Sequence, residues 1–132
     1  MNFSAVRKNT AKLGRRGEDA ACEYLRYLGM TILCRNYRIR AGELDIVAFD
    51  NEFVRFVEVK SLRNSSDFSP LINLSAHQRQ RNFRAGKLYM KVHSITGFPG
   101  RFDLITVKFD RFRVAGLHHY PDYLPQIPPV EN

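Results

Sequence analysis

Two β-rich runs meet at a short turn, and their patterning limits what this chain can become. Gly42–Phe49 (GELDIVAF) and Glu52–Lys60 (EFVRFVEVK) flank Asp50-Asn51, residue types that turn one strand back on another. Alternate residues of a strand share a face. In the first run Leu44, Ile46 and Ala48 share one face, and Glu43, Asp45, Val47 and Phe49 the other. In the second, Phe53, Arg55, Val57 and Val59 oppose Val54, Phe56, Glu58 and Lys60. One face is apolar apart from Arg55. The other is apolar near the turn and charged at the far end. Both faces therefore need cover, which predicts a central strand pair in a layered α/β sheet.

The flanking segments supply the cover. Ala11–Gly29 reads as a helix, with Ala21, Leu25 and Leu28 at helical spacing and Gly29 as its stop, after a loose polar lead over 1–10. Thr31–Arg38 reads as a strand and 61–74, rich in Ser and Asn, as a loop. Ser75 opens a second helix to about Lys91, with Gln78 at capping-box spacing and Phe83, Gly86 and Met90 as its packing stripe. Arg101–Phe109 and Phe112–Leu117 read as two more strands, joined near Asp110-Arg111. Four of the six prolines fall in 121–129, so 121–132 is expected to be a Pro-rich extended tail behind a single domain over 1–120. The order α-β-β-β-α-β-β predicts a mixed sheet flanked by helices.

Charge narrows the function. The 132 residues hold 21 Lys and Arg against 13 Asp and Glu, a net charge of +8. That balance favours polyanionic partners, nucleic acid first. The second helix carries Arg79, Arg81, Arg84, Lys87 and Lys91 and no acid, whereas solvated faces usually mix signs. Those cations are the expected phosphate contacts, and Arg7, Lys8, Lys12, Arg15 and Arg16 form a second basic cluster. No apolar run reaches membrane-span or signal-peptide length, so no membrane partner and a cytoplasmic setting are expected. Cys22 and Cys34 form no CxxC pair, and the four histidines lack zinc spacing.

The charged end of the hairpin carries the chemistry. Across an even-numbered loop, residues whose numbers sum to an odd value face each other, which puts Asp45 and Glu58 on one face. Glu18 lies three residues before Ala21 and seven before Leu25, on the inner stripe of the first helix. Carboxylates at buried strands need a partner or a metal. A structural reading pairs Lys60 with Glu43 and Glu18 with Arg15 or Arg16. A catalytic reading gathers Glu18, Asp45, Glu58 and Lys60 into a hydrolase site, where carboxylate oxygens suit Mg²⁺ and Lys60 aids the attack on a phosphate.

Asp45 followed by Glu58-Val59-Lys60 resembles the (P)D…(D/E)xK signature of restriction-endonuclease-like nucleases. More closely, the chain resembles the YraN family of predicted endonucleases, which are distantly similar to archaeal Holliday-junction resolvases. The resemblance rests on 14–20 (GRRGEDA), Arg35-Asn36-Tyr37, 42–48 (GELDIVA), 56–60 (FVEVK) and Arg101-Phe102-Asp103. It implies an αβββαβ nuclease core, Asp45 and Glu58 as ligands of Mg²⁺ or Mn²⁺, Lys60 as the catalytic lysine and Glu18 as the helix carboxylate. It also implies cleavage of branched or flapped DNA and, by analogy with paired strand cutting, a homodimer. The chain departs from relatives in placing Ser61-Leu62 before Arg63, and Gln78 or Arg79 where a helix lysine often stands. Two other readings stay open: a non-catalytic nucleic-acid-binding module on the same fold, and a scaffold whose basic face meets an acidic protein.

Overall fold

A computed structural model describes residues 3–63 and 74–131, with side chains described from Lys12 onward. The elements run α1 (Phe3–Tyr27), β1 (Thr31–Ile39), β2 (Gly42–Phe49), β3 (Val54–Arg63), α2 (Ala76–Val92), β4 (Gly100–Asp110) and β5 (Arg113–Tyr120). The strands form one sheet in the order β1-β2-β3-β4-β5. Pairing is antiparallel except between β3 and β4, which are parallel. Parallel neighbours need a crossover, and α2 lies in it. This is the expected mixed α/β sheet, with β5 added to the αβββαβ order and in keeping with a nuclease-like core.

Each helix covers one face. Leu13, Ala21, Cys22 and Leu25 of α1 pack on Ile46, Ala48, Val57, Ile105, Val107 and Phe109. Ala85, Tyr89 and Met90 of α2 pack on Leu44, Val47, Val54, Phe56 and Phe102. α2 comes closest at Gly86, where a Cβ would stand 2.5 Å from Phe102 Cζ. Both helices end in Schellman bonds. Met30 N donates to Leu25 O at 3.0 Å and Gly29 N to Arg26 O at 2.9 Å, with Gly29 at φ +89°. Ile95 N to Met90 O and Ser94 N to Lys91 O repeat the motif. Among the described residues, no helix is long and apolar enough to cross a membrane.

Several expectations need correction. The lead expected to be loose is helical from Phe3, since 3–13 contains no Pro or Gly to stop it. The loop expected from Ser61 begins later, because β3 runs on to Arg63 beside β4; 64–73 lie outside the described residues. Leu44 does not share a face with Ile46 and Ala48 but joins the α2-side core. Opposite this stretch of β2, Asn36 of β1 has φ 50° between the pairs Arg35↔Ile46 and Tyr37↔Leu44, so the alternation of β1 is interrupted there as well. The Pro-rich segment is extended but docked. Gly100 and Ile127 exchange two backbone hydrogen bonds of 2.8 Å, Tyr123 N donates to Phe102 O at 3.0 Å, and Ile127 is buried in the α2-side core.

One buried polar cluster ties these parts together. Asp103 is fully buried. It accepts hydrogen bonds from Arg55 Nη1 at 3.1 Å, from the Asp122 amide at 3.1 Å and from His119 Nε2 at 2.8 Å. His119 Nδ1 meets the Tyr24 hydroxyl of α1 at 2.9 Å, and Arg55 Nε donates to Asp50 at 2.6 Å. Asp50 in turn accepts the Glu52 and Phe53 amides, closing the predicted β2–β3 turn. Asp103→Ala leaves Arg55 Nη1, His119 Nε2 and the Asp122 amide without their shared acceptor, although Asp50 still holds Arg55 Nε, and is expected to cost about 1–3 kcal/mol, read by urea unfolding. Gly86→Ala improves helix propensity by about 1 kcal/mol, yet it should destabilise, by about 1–3 kcal/mol, because the Phe102 ring has no room to retreat. Phe102→Leu should relieve that clash.

Candidate active site

Gly17 sets the site's width. Its Cβ, were there one, would collide with Ser61 Oγ, so α1 lies against β3 where a larger residue could not. Ser61 Oγ also donates to Leu13 O at 3.1 Å. The next residue, Glu18, is thereby brought to the end of β3. Glu18, Asp45, Glu58 and Lys60 together line one cleft of about 480 Å³, with Leu13, Gly14, Val59, Ser61 and Arg63. The four side chains singled out from the sequence thus converge from α1, β2 and β3.

Asp45 and Glu58 lie opposite each other, one step beyond the pair Ile46↔Val57. Asp45 Oδ2 accepts the Val59 amide at 2.9 Å. Glu58 Oε1 accepts Gln78 Nε2 at 2.8 Å and stands 3.5 Å from Lys60 Nζ. The two carboxyl groups lie close enough to perturb each other's ionisation. Burial, then the Glu58 charge, pushes Asp45 up to about 7, against the pull of the Val59 amide. Burial also raises Glu58, opposed by Lys60, Asp45 and Gln78.

Glu18 is raised as well, by burial first and then by the charges of Asp45 and Glu43. Arg35 stands 3.7 Å from Oε2 while bonding Asp19 at 2.7 Å, and Asn36 and Arg35 both oppose the rise. Glu18 Oε2 is buried with no hydrogen-bond partner. Two pairings expected on the structural reading are therefore replaced. Glu18 meets Arg35 rather than Arg15 or Arg16, and Lys60 meets Glu58 rather than Glu43, which stands 4.0 Å from Arg38 Nε. Lys60 and Glu58 are two apart on the same strand, which lets their side chains meet at 3.5 Å.

A second cleft of about 400 Å³ opens on the α2 side of the same carboxylates. Glu43, Asp45, Glu58, Ser75, His77, Gln78, Arg81 and Asn82 line it. Of the helix cations, Arg81 borders this cleft, Arg79 and Arg84 border a separate groove, and Lys87 lies 5.8 Å from the centre of the Phe83 ring. Arg7 and Lys8 lie outside the described side chains. Sequence reasoning missed four contributors. Asn36 and Arg35 lay within a segment quoted for its resemblance, without an assigned partner. Gln78 completes only half of the predicted capping box: its amide donates to Ser75 Oγ at 3.0 Å, while its side chain turns to Glu58. Tyr123, from the segment read as a tail, accepts Asn82 Nδ2 at 2.9 Å and lies near Asp45 and Glu58.

Among the described residues, no three or more His, Cys, Asp or Glu side chains form a group that could hold a metal ion by themselves. Asp45 and Glu58 supply two adjacent hard oxygen donors. Mg²⁺ is often held by one or two carboxylates, with waters and phosphate oxygens completing its shell. The repulsion within the pair and the unsatisfied Glu18 oxygen both fit a cation at this place.

Residues 17–107 match the model of a family described as Uncharacterised protein family UPF0102. The chain belongs to that family. It is the YraN family that the motifs resemble. A UPF0102 protein of Desulfosudis oleivorans is 41% identical over 95 residues, spanning 72% of this chain and 77% of the relative. One of Syntrophotalea carbinolica is 41% identical over 109 residues, spanning 83% and 88%. One of Pelotomaculum thermopropionicum is 38% identical over 109 residues, spanning 82% and 91%. The span matched by the UPF0102 model begins at the glycine that seats α1 and encloses all four cleft residues.

The raised Asp45 gives a pH test. Between 3.8 and about 7 the folded chain binds more protons at this group than the unfolded chain, so its contribution to stability falls as pH rises. Without divalent ions, Asp45→Asn should raise the melting temperature at pH 8, by about 1–3 kcal/mol in stability, and flatten the loss between pH 5 and about 7. Thermal melts across pH would refute this if the variant melted with the wild-type pH dependence.

Proposed function

We propose that this chain is a metal-dependent endonuclease that hydrolyses phosphodiester bonds in structured DNA, such as branches or flaps. The observation that carries the reading is the single cleft shared by Glu18, Asp45, Glu58 and Lys60, in which two carboxyl groups are pressed together beside one lysine. Nothing in the packing demands such a pair, and like charges held in contact raise the affinity of a site for a cation. Mg²⁺ or Mn²⁺ held by Asp45 and Glu58 would supply Lewis-acid activation of a water and neutralise charge developing at the phosphate.

The chain's own groups divide the remaining work. The Val59 backbone amide holds Asp45 and the Gln78 side chain holds Glu58 through Nε2, so neither carboxylate must reorient when a phosphate arrives. Lys60, on the α1 side, lies where its cation can direct an attacking water or meet the growing negative charge. Glu18, raised by burial, is placed to accept a proton from that water. Arg81 borders the other cleft and can hold an adjoining phosphate.

The non-catalytic module has one observation in its favour. Lys60 and Gln78 already engage Glu58, as a purely structural ion pair would require. Mutants separate the two. On branched, flapped and single-stranded DNA with Mg²⁺ or Mn²⁺, Lys60→Ala should lower turnover by about 10²–10³ while leaving binding intact. Arg81→Ala with Arg84→Ala should weaken binding and reduce its salt slope by about two, with little change at saturation. No cleavage by highly purified wild type, or equal cleavage by Lys60→Ala, would establish the binding module instead.

A further inference from the structure

α2 presents two functional faces. Gln78, Arg81 and Asn82 border the carboxylate cleft, whereas Arg79, Gln80, Phe83 and Arg84 form one wall of a separate groove of about 310 Å³. Leu124 and Pro125, from the docked C-terminal segment, form the other wall. Asn82, which borders the cleft, donates to the hydroxyl of Tyr123, the residue before Leu124, and Tyr123 lies beside Asp45 and Glu58. The exposed lining is almost wholly apolar.

The Phe83 ring is held by the core. It stacks on Phe102 at a centroid distance of 5.5 Å and an interplanar angle of 34°, and Phe102 stacks in turn on Phe56 at 5.2 Å. A ring fixed from behind is a preorganised platform. Around it the charge is one-signed. Arg84 is exposed, the Lys87 ammonium sits over the Phe83 ring 5.8 Å from its centre, where a base would displace it toward the phosphates, and α2 carries no acid over Ala76–Val92. A flat apolar floor rimmed by cations fits a ring carried on an anionic backbone. Stacking on aromatic side chains and phosphate neutralisation are the two means by which proteins hold single strands. The volume is at the low end of about 300–1,000 Å³ for ligand pockets, which suits one base rather than a paired stack.

We propose that the groove between Phe83 and Leu124-Pro125 receives an unpaired nucleobase next to the carboxylate cleft, so that the chain distinguishes a single-stranded DNA arm from duplex. The proposal rests on the nucleic-acid reading above and names the substrate feature it recognises. A paired base in duplex buries both its faces against its neighbours and offers the groove nothing. An unpaired base in a flap or branch has a free face.

The experiment measures binding, with EDTA present so that nothing is cut. Fluorescence anisotropy compares a flapped oligonucleotide with a fully paired one of equal charge, and 2-aminopurine in the unpaired arm reports stacking. Wild type should bind the flap about tenfold tighter and change the 2-aminopurine emission. Phe83→Leu, which keeps bulk against Phe102 but removes the flat face, should abolish both effects while duplex affinity stays the same. Pro125→Glu, at an exposed position remote from the core, places a carboxylate at the groove mouth and should also remove the preference. Equal wild-type binding to both substrates overturns the proposal, as does full flap preference in both variants at wild-type melting temperature. Metal-dependent cleavage without flap preference would overturn the groove and leave the endonuclease standing. Flap preference without cleavage under any metal would support the groove and remove the endonuclease.

Discussion

A carboxylate with no access to water must find its compensation inside the protein, and Asp103 obliges four parts of this chain to provide it. Arg55 comes from β3, His119 from β5 and the Asp122 amide from the C-terminal segment, while His119 extends the cluster to Tyr24 of α1. Each donor is correct only if β3 lies parallel to β4 in one register, Val57 beside Asp103. A slip of one residue would turn Asp103 to the other face and strand its charge. The same register puts Glu58 beside Leu104 and Lys60 beside Thr106, at the end of β3 where the cleft opens.

The molecule thus treats two buried acidic centres in opposite ways. At Asp103 donors surround the carboxylate. At Asp45 and Glu58 the second carboxylate stands where a cation would be expected, and its charge pushes Asp45 up. Groups arranged against their own stability mark places shaped by something other than folding. Each member of the pair is nonetheless held, one by the Val59 amide and the other by the Gln78 side chain.

α2 connects that pair to the basic surface. Its first turn grips Glu58 through Gln78, its middle closes on Phe102 at Gly86, and its cations flank both the cleft and the groove. The C-terminal segment completes the arrangement: Ile127 pairs with Gly100, and Tyr123 sits behind the carboxylates. A single helix and a docked tail thereby couple the position of the carboxylates to the shape of the surface beside them.

The periodicity of the chain determined the central hairpin, the face shared by Asp45 and Glu58, the inward stripe carrying Glu18 and the cap at Ser75. These are local matters, decided within a few residues by strand alternation, helical spacing and turn chemistry. Periodicity alone leaves open which distant side chain answers a buried charge. Only the tertiary structure chose Arg35 over Arg15 and Arg16 for Glu18, Glu58 over Glu43 for Lys60, and His119 for Asp103. It also turned Leu44 toward α2, and drew a proline-rich segment into the core through Ile127. The physical reason is one of range: a repeat of two or 3.6 residues assigns a side chain to a face, while partnership is settled by which faces meet after distant segments are packed together, and that is known only once the whole sheet has formed.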